Sequence, residues 1–158
     1  MRRKDREVTE MSEINDILSL CKTCHLAMID EAMPYVIPLN FGYELNGETL
    51  TLYFHSAKEG RKIDILKKNN QVCFEMCCEG EPVFARETPC NSGYYYSCVH
   101  GFGNAEFVTE PSEKCEALTA IVRQHAGFSP VFTEAQANGV CVYKVVTVDF
   151  TGKRKPQK

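Results

Sequence analysis

The stretch YFHSAKEGRKIDIL, from Tyr53 to Leu66, decides how the chain can fold. Its first residues have the composition of a β-strand, and a short polar turn then leads to a glycine and to the apolar spacing of a helix. Arg61 and Lys62 stand in the first turn of that predicted helix. Cations at this end oppose the helix dipole, so they lower stability unless an anion lies in front of them. With the Ser56 hydroxyl and the free main-chain N–H groups of a helix start, they make a candidate phosphate site.

A purely structural explanation exists for the same two cations. Both side chains would be solvated and would form ion pairs with Glu59 or Asp64, as many exposed basic residues do. Helix starts that combine a serine with basic residues are common, so spacing alone leaves both explanations open. If a phosphate is bound, Arg61 would hold its oxygens in a fork and Lys62 would supply a point charge.

Length and composition indicate one ordinary globular domain over residues 1–158. Hydrophobic residues make up 44% of the chain and charged residues 25%, and the net charge is −3. Binding to nucleic acid or to a membrane surface through charge needs a basic face, so neither partner is expected. No apolar run approaches the ~20 residues that span a bilayer, and the basic N-terminus has no secretory apolar segment behind it. We therefore expect a cytoplasmic protein whose tails, 1–11 and 153–158, are flexible or contact a second subunit.

Nine cysteines are spread over the chain. An odd number without an export signal does not indicate a disulfide framework, and we expect reduced, mostly buried thiols. The motif CKTCH, residues 21–25, matches the covalent haem attachment pattern, but that attachment calls for export. The two cysteines of this motif could also form half of a zinc site with Cys73 or the pair Cys77–Cys78. Those residues fall in a predicted strand, where neighbouring side chains face opposite ways, so no metal is expected.

Apolar periodicity predicts six strands and three helices. The strands span residues 25–30, 33–45, 48–56, 71–79, 93–110 and 140–154, and the helices start at an N-cap on Ser12, cover 59–69 and run from Pro111 to about 125. Asn46-Gly47 is a strong hairpin signal. Pro38 marks a bulge or a strand side without a neighbour, because proline cannot donate to a ladder. Strands joined mostly by hairpins, with few helices, indicate an antiparallel barrel with packed helices.

A family resemblance is carried by VIPLNFGYELNGETLTLYFHSAKEGRKIDIL, residues 36–66, and by the later segment YYSCVHGFGNAEFV. Together they resemble the FMN-binding split-barrel family typified by pyridoxamine 5'-phosphate oxidase, and in particular its nitroimidazole-resistance (Nim-like) branch. The likeness extends from MRRKDRE at the start of the chain to FTGKR, residues 150–154. It implies a mainly β fold, a six-stranded antiparallel Greek-key-type split barrel with flanking helices.

The resemblance also implies a homodimer that binds two FMN molecules in clefts at the subunit interface. Arg61 and Lys62, helped by Ser56, would bind the phosphate. Phe54 and His55 would lie at the flavin ring or the ribityl chain. The ring would lie along a strand whose main chain faces its pyrimidine edge, namely Val36, Ile37, Pro38, Leu39 and Asn40. The cleft would be closed by Tyr95, Tyr96 and Ser97 of the partner subunit.

His55 is the candidate catalytic residue. A histidine beside a flavin can donate a proton to a reduced substrate or hold the cofactor, whereas the alternative is a histidine that only caps the turn. The flavin itself performs the redox chemistry. We therefore expect an FMN-dependent oxidoreductase that reduces small electrophilic substrates such as nitroaromatics. No dinucleotide-binding fingerprint is present, so the electrons would come from a reduced flavin or from a reduced nicotinamide that enters the FMN cleft transiently.

Two other functions use the same fold. Oxidation of a pyridoxine phosphate is not expected, because this chain shows no additional basic C-terminal region for the phosphate of that substrate. A flavin- or haem-binding split-barrel protein without turnover would use the same cleft. Haem binding would take His100 or His125 as its axial ligand.

Overall fold

Antiparallel strands form most of the molecule, which a computed structural model describes for residues 2–155. The strands are β1 (Glu7–Val8), β2 (Cys24–Asp30), β3 (Met33–Leu39), β4 (Gly42–Asn46), β5 (Thr49–Ser56), β6 (Gln71–Val83), β7 (Gly93–Phe107), β8 (Cys141–Thr147) and β9 (Phe150–Lys155). The helices are α1 (Met11–Leu20), α2 (Arg61–Lys68), α3 (Pro111–Ala126) and α4 (Glu134–Ala137). Short 3₁₀ turns lie at Lys4–Arg6 and Pro89–Asn91.

The strand order explains why the sheet is a barrel with an open seam. Neighbouring strands follow the order β3-β2-β6-β7-β8-β5-β4, with β9 on β7 and β1 on β9. The two end strands, β3 and β4, are consecutive in the chain and are joined only by Asn40 and Phe41. Because so short a connection cannot cross an open sheet, the sheet must curl until its two edges meet. The predicted antiparallel split barrel with flanking helices is therefore confirmed.

Nine strands lie within residues 2–155, where six were predicted, because two of the predicted strands are divided and β1 is added. The second predicted strand breaks at Phe41, whose side chain turns fully into the core. The last predicted strand breaks at Asp149. The N–H of Asp149 donates to the Thr147 hydroxyl, and its carbonyl accepts the N–H of Phe102. These contacts form a turn that polar composition alone did not reveal.

The chain ends are paired with each other where the structure describes them. Glu7 and Val8 of β1 lie opposite Lys153 and Gly152 of β9. Gly152 permits this pairing, because a Cβ there would lie 2.9 Å from the Val8 side chain. This pairing orders the residues concerned through main-chain hydrogen bonds, which do not depend on side-chain polarity. The prediction that the tails are flexible or contact a second subunit stays a prediction. Of the tails, residues 1 and 156–158 lie outside the described residues.

The three predicted helices are present with shifted starts. α1 has Glu10 at its N-cap, so Ser12 lies inside the helix and does not cap it. α2 begins at Arg61, two residues later than predicted, because Gly60 before it has a φ of 125° that helical residues do not adopt. α3 begins at Pro111 as predicted, since a helix start does not use the N–H that proline lacks.

Two elements lie in segments predicted as loops. β6 continues past its predicted end to Val83, with a register shift between Glu79 and Pro82. α4 is begun by a capping box in which Thr133 and Gln136 bond each other's main-chain N–H groups. Both elements are short or irregular, and apolar periodicity carries little information for such segments.

One hydrophobic core fills the barrel, and a smaller cluster lies under α3. The largest fully buried side chains include Phe41, Phe54, Phe74 and Tyr143. α1 covers the barrel with its apolar face; its buried residues are Ile14, Ile17 and Leu18. Within residues 2–155, the helices lack the combination of length and apolar character that crossing a membrane requires.

Replacing Gly42 with alanine tests the contact between β4 and α3. The added Cβ would lie 2.4 Å from the Ile121 nitrogen and 2.5 Å from the Ala120 carbonyl carbon. Because main-chain atoms cannot rotate away, α3 must shift, and we expect a loss of about 1–3 kcal/mol in the free energy of unfolding, measured with urea. Gly127→Asn is the control, since this position has a φ of 76° and nothing within 4 Å. Wild-type stability in Gly42→Ala would contradict the close packing.

Candidate functional site

The predicted phosphate site is built where β5 leads into α2. Side chains of β5 alternate between the core and the outer face, and the strand ends with Phe54 and Ser56 buried and His55 half-buried. The Ser56 hydroxyl donates to the Ala57 carbonyl at 2.8 Å. Within residues 2–155, no side chain caps the N-terminus of α2. Its first main-chain N–H groups therefore have no side-chain acceptor, which leaves them available to an anion.

Arg61 is held by two contacts that the sequence did not predict. Its Nε donates to Asp30 Oδ2 at 2.8 Å, and its guanidinium lies 4.6 Å from the centre of the Tyr35 ring. Neither Glu59 nor Asp64, the expected ion-pair partners, is bonded to it. The side chain remains largely exposed, and no hydrogen bond within the described chain uses its two Nη amino groups. Asp30 and Tyr35 thus fix the orientation of Arg61 and leave its outer edge for a second acceptor.

Lys62 is the unusual member of the pair. It is half-buried, and burial lowers the pKa of its ammonium group. No carboxylate in residues 2–155 forms an ion pair with it. Partly burying an ammonium without a counter-ion disfavours its charged form, whereas a bound anion would restore it. Lys62 therefore supports the phosphate explanation more strongly than Arg61 does.

His55 lies on the outer face of β5, within electrostatic range of Lys62 in α2. Burial is the main reason that the pKa of His55 is lowered, and the positive charges of Lys62 and His125 add to the effect. Its Nδ1 is enclosed without a hydrogen-bond partner among the described residues, and Nε2 of His125 is in the same condition. His55 is within electrostatic range of both Lys62 and His125, so its unsatisfied imidazole nitrogen indicates a place that can accept a further polar partner.

The side chain of Phe54 faces away from this place. It is fully buried and stacks on Tyr143 of β8, with ring centres 5.4 Å apart. Only the main chain of Phe54 is therefore available to a ligand on the outer face. Alternation along β5 contained this information, because Phe54 and His55 are adjacent and must face opposite ways.

The predicted ring-binding strand is an edge of the sheet. Among the strands of residues 2–155, β3 pairs with β2 alone, in an unbroken register that places Pro38 opposite His25. Of the two explanations for Pro38, the strand side without a neighbour is right, and no bulge is present in this pairing. Val36, Pro38 and Asn40 are exposed, whereas Ile37 and Leu39 pack partly against the core. The outer edge of β3 therefore presents free main-chain groups at the seam of the barrel.

Tyr95, Tyr96 and Ser97 form a separate group on β7. Lys155 lies 5.7 Å from the Tyr95 ring centre and Lys153 lies 5.5 Å from that of Tyr96. The two tyrosines line an open cleft of about 890 Å³ beside the N-terminal segment. Within residues 2–155, no hydrogen bond, ion pair or ring contact joins these residues to Arg61 or Lys62. Their predicted place is across a subunit interface, so this assignment remains a prediction.

A larger apolar groove of about 940 Å³ lies on the outer face of the sheet, and sequence reasoning did not identify it. Its exposed apolar lining residues are Ile29, Phe102, Val146 and Val148. The signal was present in the sequence as apolar residues at both alternating positions of β2, β7 and β8, which is unusual for a sheet with one solvated face.

Cysteines contribute no metal site that the structure can support. Of the nine, Cys21 and Cys24 are buried, Cys77 and Cys90 are exposed, and the rest are half-buried, so the expectation of mostly buried thiols was wrong. Within residues 2–155, no group of three or more Cys, His, Asp or Glu side chains could hold a metal ion. The zinc hypothesis therefore gains no ligand set from these residues.

The architecture and this site define a class of protein, namely split β-barrels in which the helix that follows β5 begins with basic residues. The chain belongs to the pyridoxamine 5'-phosphate oxidase family, whose sequence profile matches residues 10–154. The resemblance noted from the sequence is thereby confirmed. No curated protein sequence matches the chain.

Several solved structures are similar to this chain. A candidate 5-nitroimidazole antibiotic resistance protein from Bacteroides thetaiotaomicron VPI-5482 is 31% identical, with a TM-score of 0.80 over 94% of this chain and 86% of that chain. The flavocytochrome Anf3 from Azotobacter vinelandii is 19% identical, with a TM-score of 0.78 over 99% of this chain and 72% of that chain. An FAD and haem binding protein from Mycobacterium smegmatis is 15% identical, with a TM-score of 0.77 over 96% of this chain and 74% of that chain. At such low identities, the last two show a shared fold.

Acidification tests the burial of the two histidines. Their pKa values are lowered from 6.5 in the folded protein, so the unfolded chain binds more protons just below that pH. Stability should therefore rise with pH through this window and be lost as the pH falls below about 6.5. The free energy of unfolding, measured with urea between about pH 5 and 7, should change less steeply with pH in His55→Gln than in wild type. His25→Gln, at an exposed site, is the control; equal slopes for wild type and His55→Gln would refute the burial argument.

Proposed function

We propose that this protein binds FMN and uses it to reduce small electrophilic substrates such as nitroaromatics. The observation that supports the proposal most directly is the half-buried Lys62, which has no carboxylate partner in residues 2–155 and stands at an uncapped helix start. The identity of 31% with a candidate nitroimidazole resistance protein supports the same substrate class.

The FMN phosphate fits the groups at the start of α2. A terminal phosphate carries close to two negative charges at neutral pH and accepts several hydrogen bonds. Lys62 supplies a charge, the outer edge of Arg61 supplies paired donors, and the first main-chain N–H groups of α2 supply more. Asp30 and Tyr35 hold the Arg61 guanidinium in place beforehand, so less side-chain freedom is lost on binding.

The flavin would supply electron transfer, and the chain would supply binding and orientation. Val36, Pro38 and Asn40 lie on the exposed edge of β3, where free main-chain groups can bond the polar edge of a ring. His55 has a lowered pKa and an unpartnered Nδ1, so a neutral imidazole there can accept a hydrogen bond or pass a proton near the cofactor. The electron donor is a reduced nicotinamide or a reduced flavin.

The proposal includes a homodimer, and the apolar groove on the outer face supports it. Phe102 is 51% exposed and Val148 is 70% exposed, and both line this groove of about 940 Å³. Exposed apolar side chains gathered in one groove are a surface that a subunit interface can cover. Dimer formation would also allow Tyr95, Tyr96 and Ser97 of one subunit to close the FMN cleft of the other.

Charge removal at Lys62 tests the phosphate site. Charge-assisted hydrogen bonds contribute about 1.5–3 kcal/mol each, so Lys62→Met should weaken FMN binding by about 10- to 150-fold. Arg61→Ala should weaken it by a similar factor, and both can be measured by flavin fluorescence quenching. Lys67→Met is the matched control, because it removes the same charge from the other end of α2. Wild-type FMN affinity in Lys62→Met would eliminate the proposed site.

Turnover tests the enzymatic part of the proposal. The FMN-loaded protein, reduced without oxygen, should be reoxidised by a nitroimidazole faster than free reduced FMN at the same concentration. His55→Gln should retain bound FMN and change this rate, because the side chain is proposed to act near the reacting atoms. If reoxidation is no faster than for free flavin, the protein binds flavin without turnover. If the purified protein shows the absorption band of a haem, the cofactor is haem and not FMN.

A further inference from the structure

Two cysteines that are 57 positions apart in the sequence meet inside the molecule. Cys21 Sγ lies 3.0 Å from Cys78 Sγ, although all nine cysteines are free thiols in this structure. A disulfide bond is about 2.05 Å long, so the two sulfurs would have to approach by about 1 Å to form one. We propose that Cys21 and Cys78 form a reversible disulfide by exchange with a low-molecular-weight disulfide such as oxidised glutathione.

Main-chain contacts fix the positions of both thiols. The N–H of Cys21 donates to the Ile17 carbonyl at the end of α1, and the Gln124 side chain donates to the Cys21 carbonyl at 2.6 Å. Cys78 lies in the ladder of β6, opposite Ser97 of β7. Because three different elements hold these two main-chain positions, the contact between the sulfurs results from packing and not from a loop conformation.

The sheet separates this pair from a second pair of cysteines. Cys77 and Cys98 lie directly opposite each other on β6 and β7. Neighbouring residues of a strand face opposite sides, so the Cys77–Cys98 pair lies on the other face of the sheet from Cys78. Oxidation could therefore form either of two disulfide bonds, Cys21–Cys78 or Cys77–Cys98, and peptide mapping distinguishes them.

The exchange proceeds in two steps that balance. The Cys78 thiolate attacks one sulfur of oxidised glutathione, the glutathione S–S bond breaks, and one glutathione thiolate leaves. Cys21 then loses its proton and attacks the Cys78 sulfur of this mixed disulfide, releasing the second glutathione. Two protein thiols are oxidised, one small disulfide is reduced, and the two protons end on the two glutathione thiols.

The order of attack follows from exposure. Cys21 is 1% exposed, and burial raises the pKa of its thiol, so its thiolate is scarce and no external reagent reaches it. Cys78 is half-buried and is the member of the pair that a reagent can reach. The buried thiol can act only as the second nucleophile, inside the protein.

The test equilibrates the full-length protein without oxygen in buffers with increasing ratios of oxidised to reduced glutathione. After acid quenching and alkylation, peptide mass spectrometry should show a Cys21–Cys78 linked peptide that accumulates with the ratio and disappears on reduction. Cross-linking residues so far apart restricts the unfolded chain, so the Tm of the oxidised protein should rise. Because the mapping uses wild-type protein, it does not depend on the folding of a variant.

Variants identify the two roles. Cys21→Ser should stop at a mixed disulfide that carries one glutathione on Cys78, whereas Cys78→Ser should leave Cys21 unmodified. Cys98→Ser is the control and should still form the Cys21–Cys78 bond. A bond between Cys77 and Cys98 instead, or glutathione on exposed thiols with no internal bond at any ratio, would overturn the proposal.

Discussion

The pairing of β5 with β8 determines where the side chains at the end of β5 lie. Seven residues of each strand are in register, from Leu50 opposite Thr147 to Ser56 opposite Cys141. The stacked rings of Phe54 and Tyr143, both fully buried, hold this register from the inside. A slip by one residue would place the imidazole of His55 in the core and the Phe54 ring in water, at a cost that no exposed contact could offset. The site at the end of β5 is therefore a consequence of core packing.

The sequence predicted those features that depend on local periodicity. Alternation along β5, the Asn46-Gly47 turn and the apolar face of α1 all have short-range causes, and each appears in the structure. Strands joined mostly by hairpins already indicated an antiparallel barrel, and the family resemblance added that the barrel is split. Ser12 was predicted as a helix cap because serine favours that position, but tertiary packing begins α1 earlier, with Glu10 as its N-cap. Helix ends are decided by differences in free energy small enough for packing to reverse them.

Long-range partners were not predictable in the same way. Asp30 belongs to the end of β2, and nothing in its neighbourhood in the sequence indicates that it meets Arg61 across the barrel end. The contact of Cys21 with Cys78 joins a helix end to a strand, and the unbonded nitrogen of His125 depends on how α3 crosses β4. Such contacts follow from the three-dimensional arrangement of whole elements, which a single sequence encodes only through packing.

The two cations at the start of α2 differ in how well the protein alone explains them. Arg61 has its own partners in Asp30 and Tyr35, so an exposed ion pair and a ring contact, worth about 0–1 and 0.5–1 kcal/mol, explain its presence without a ligand. No such explanation is available for Lys62, which is half-buried, acts on the imidazole of His55 through its charge, and is not ion-paired to any carboxylate in residues 2–155. An ammonium in that position lowers the stability of the protein alone. The proposal of a phosphate site therefore depends mainly on Lys62, whereas Asp30 and Tyr35 fix the direction of the Arg61 guanidinium with or without a ligand.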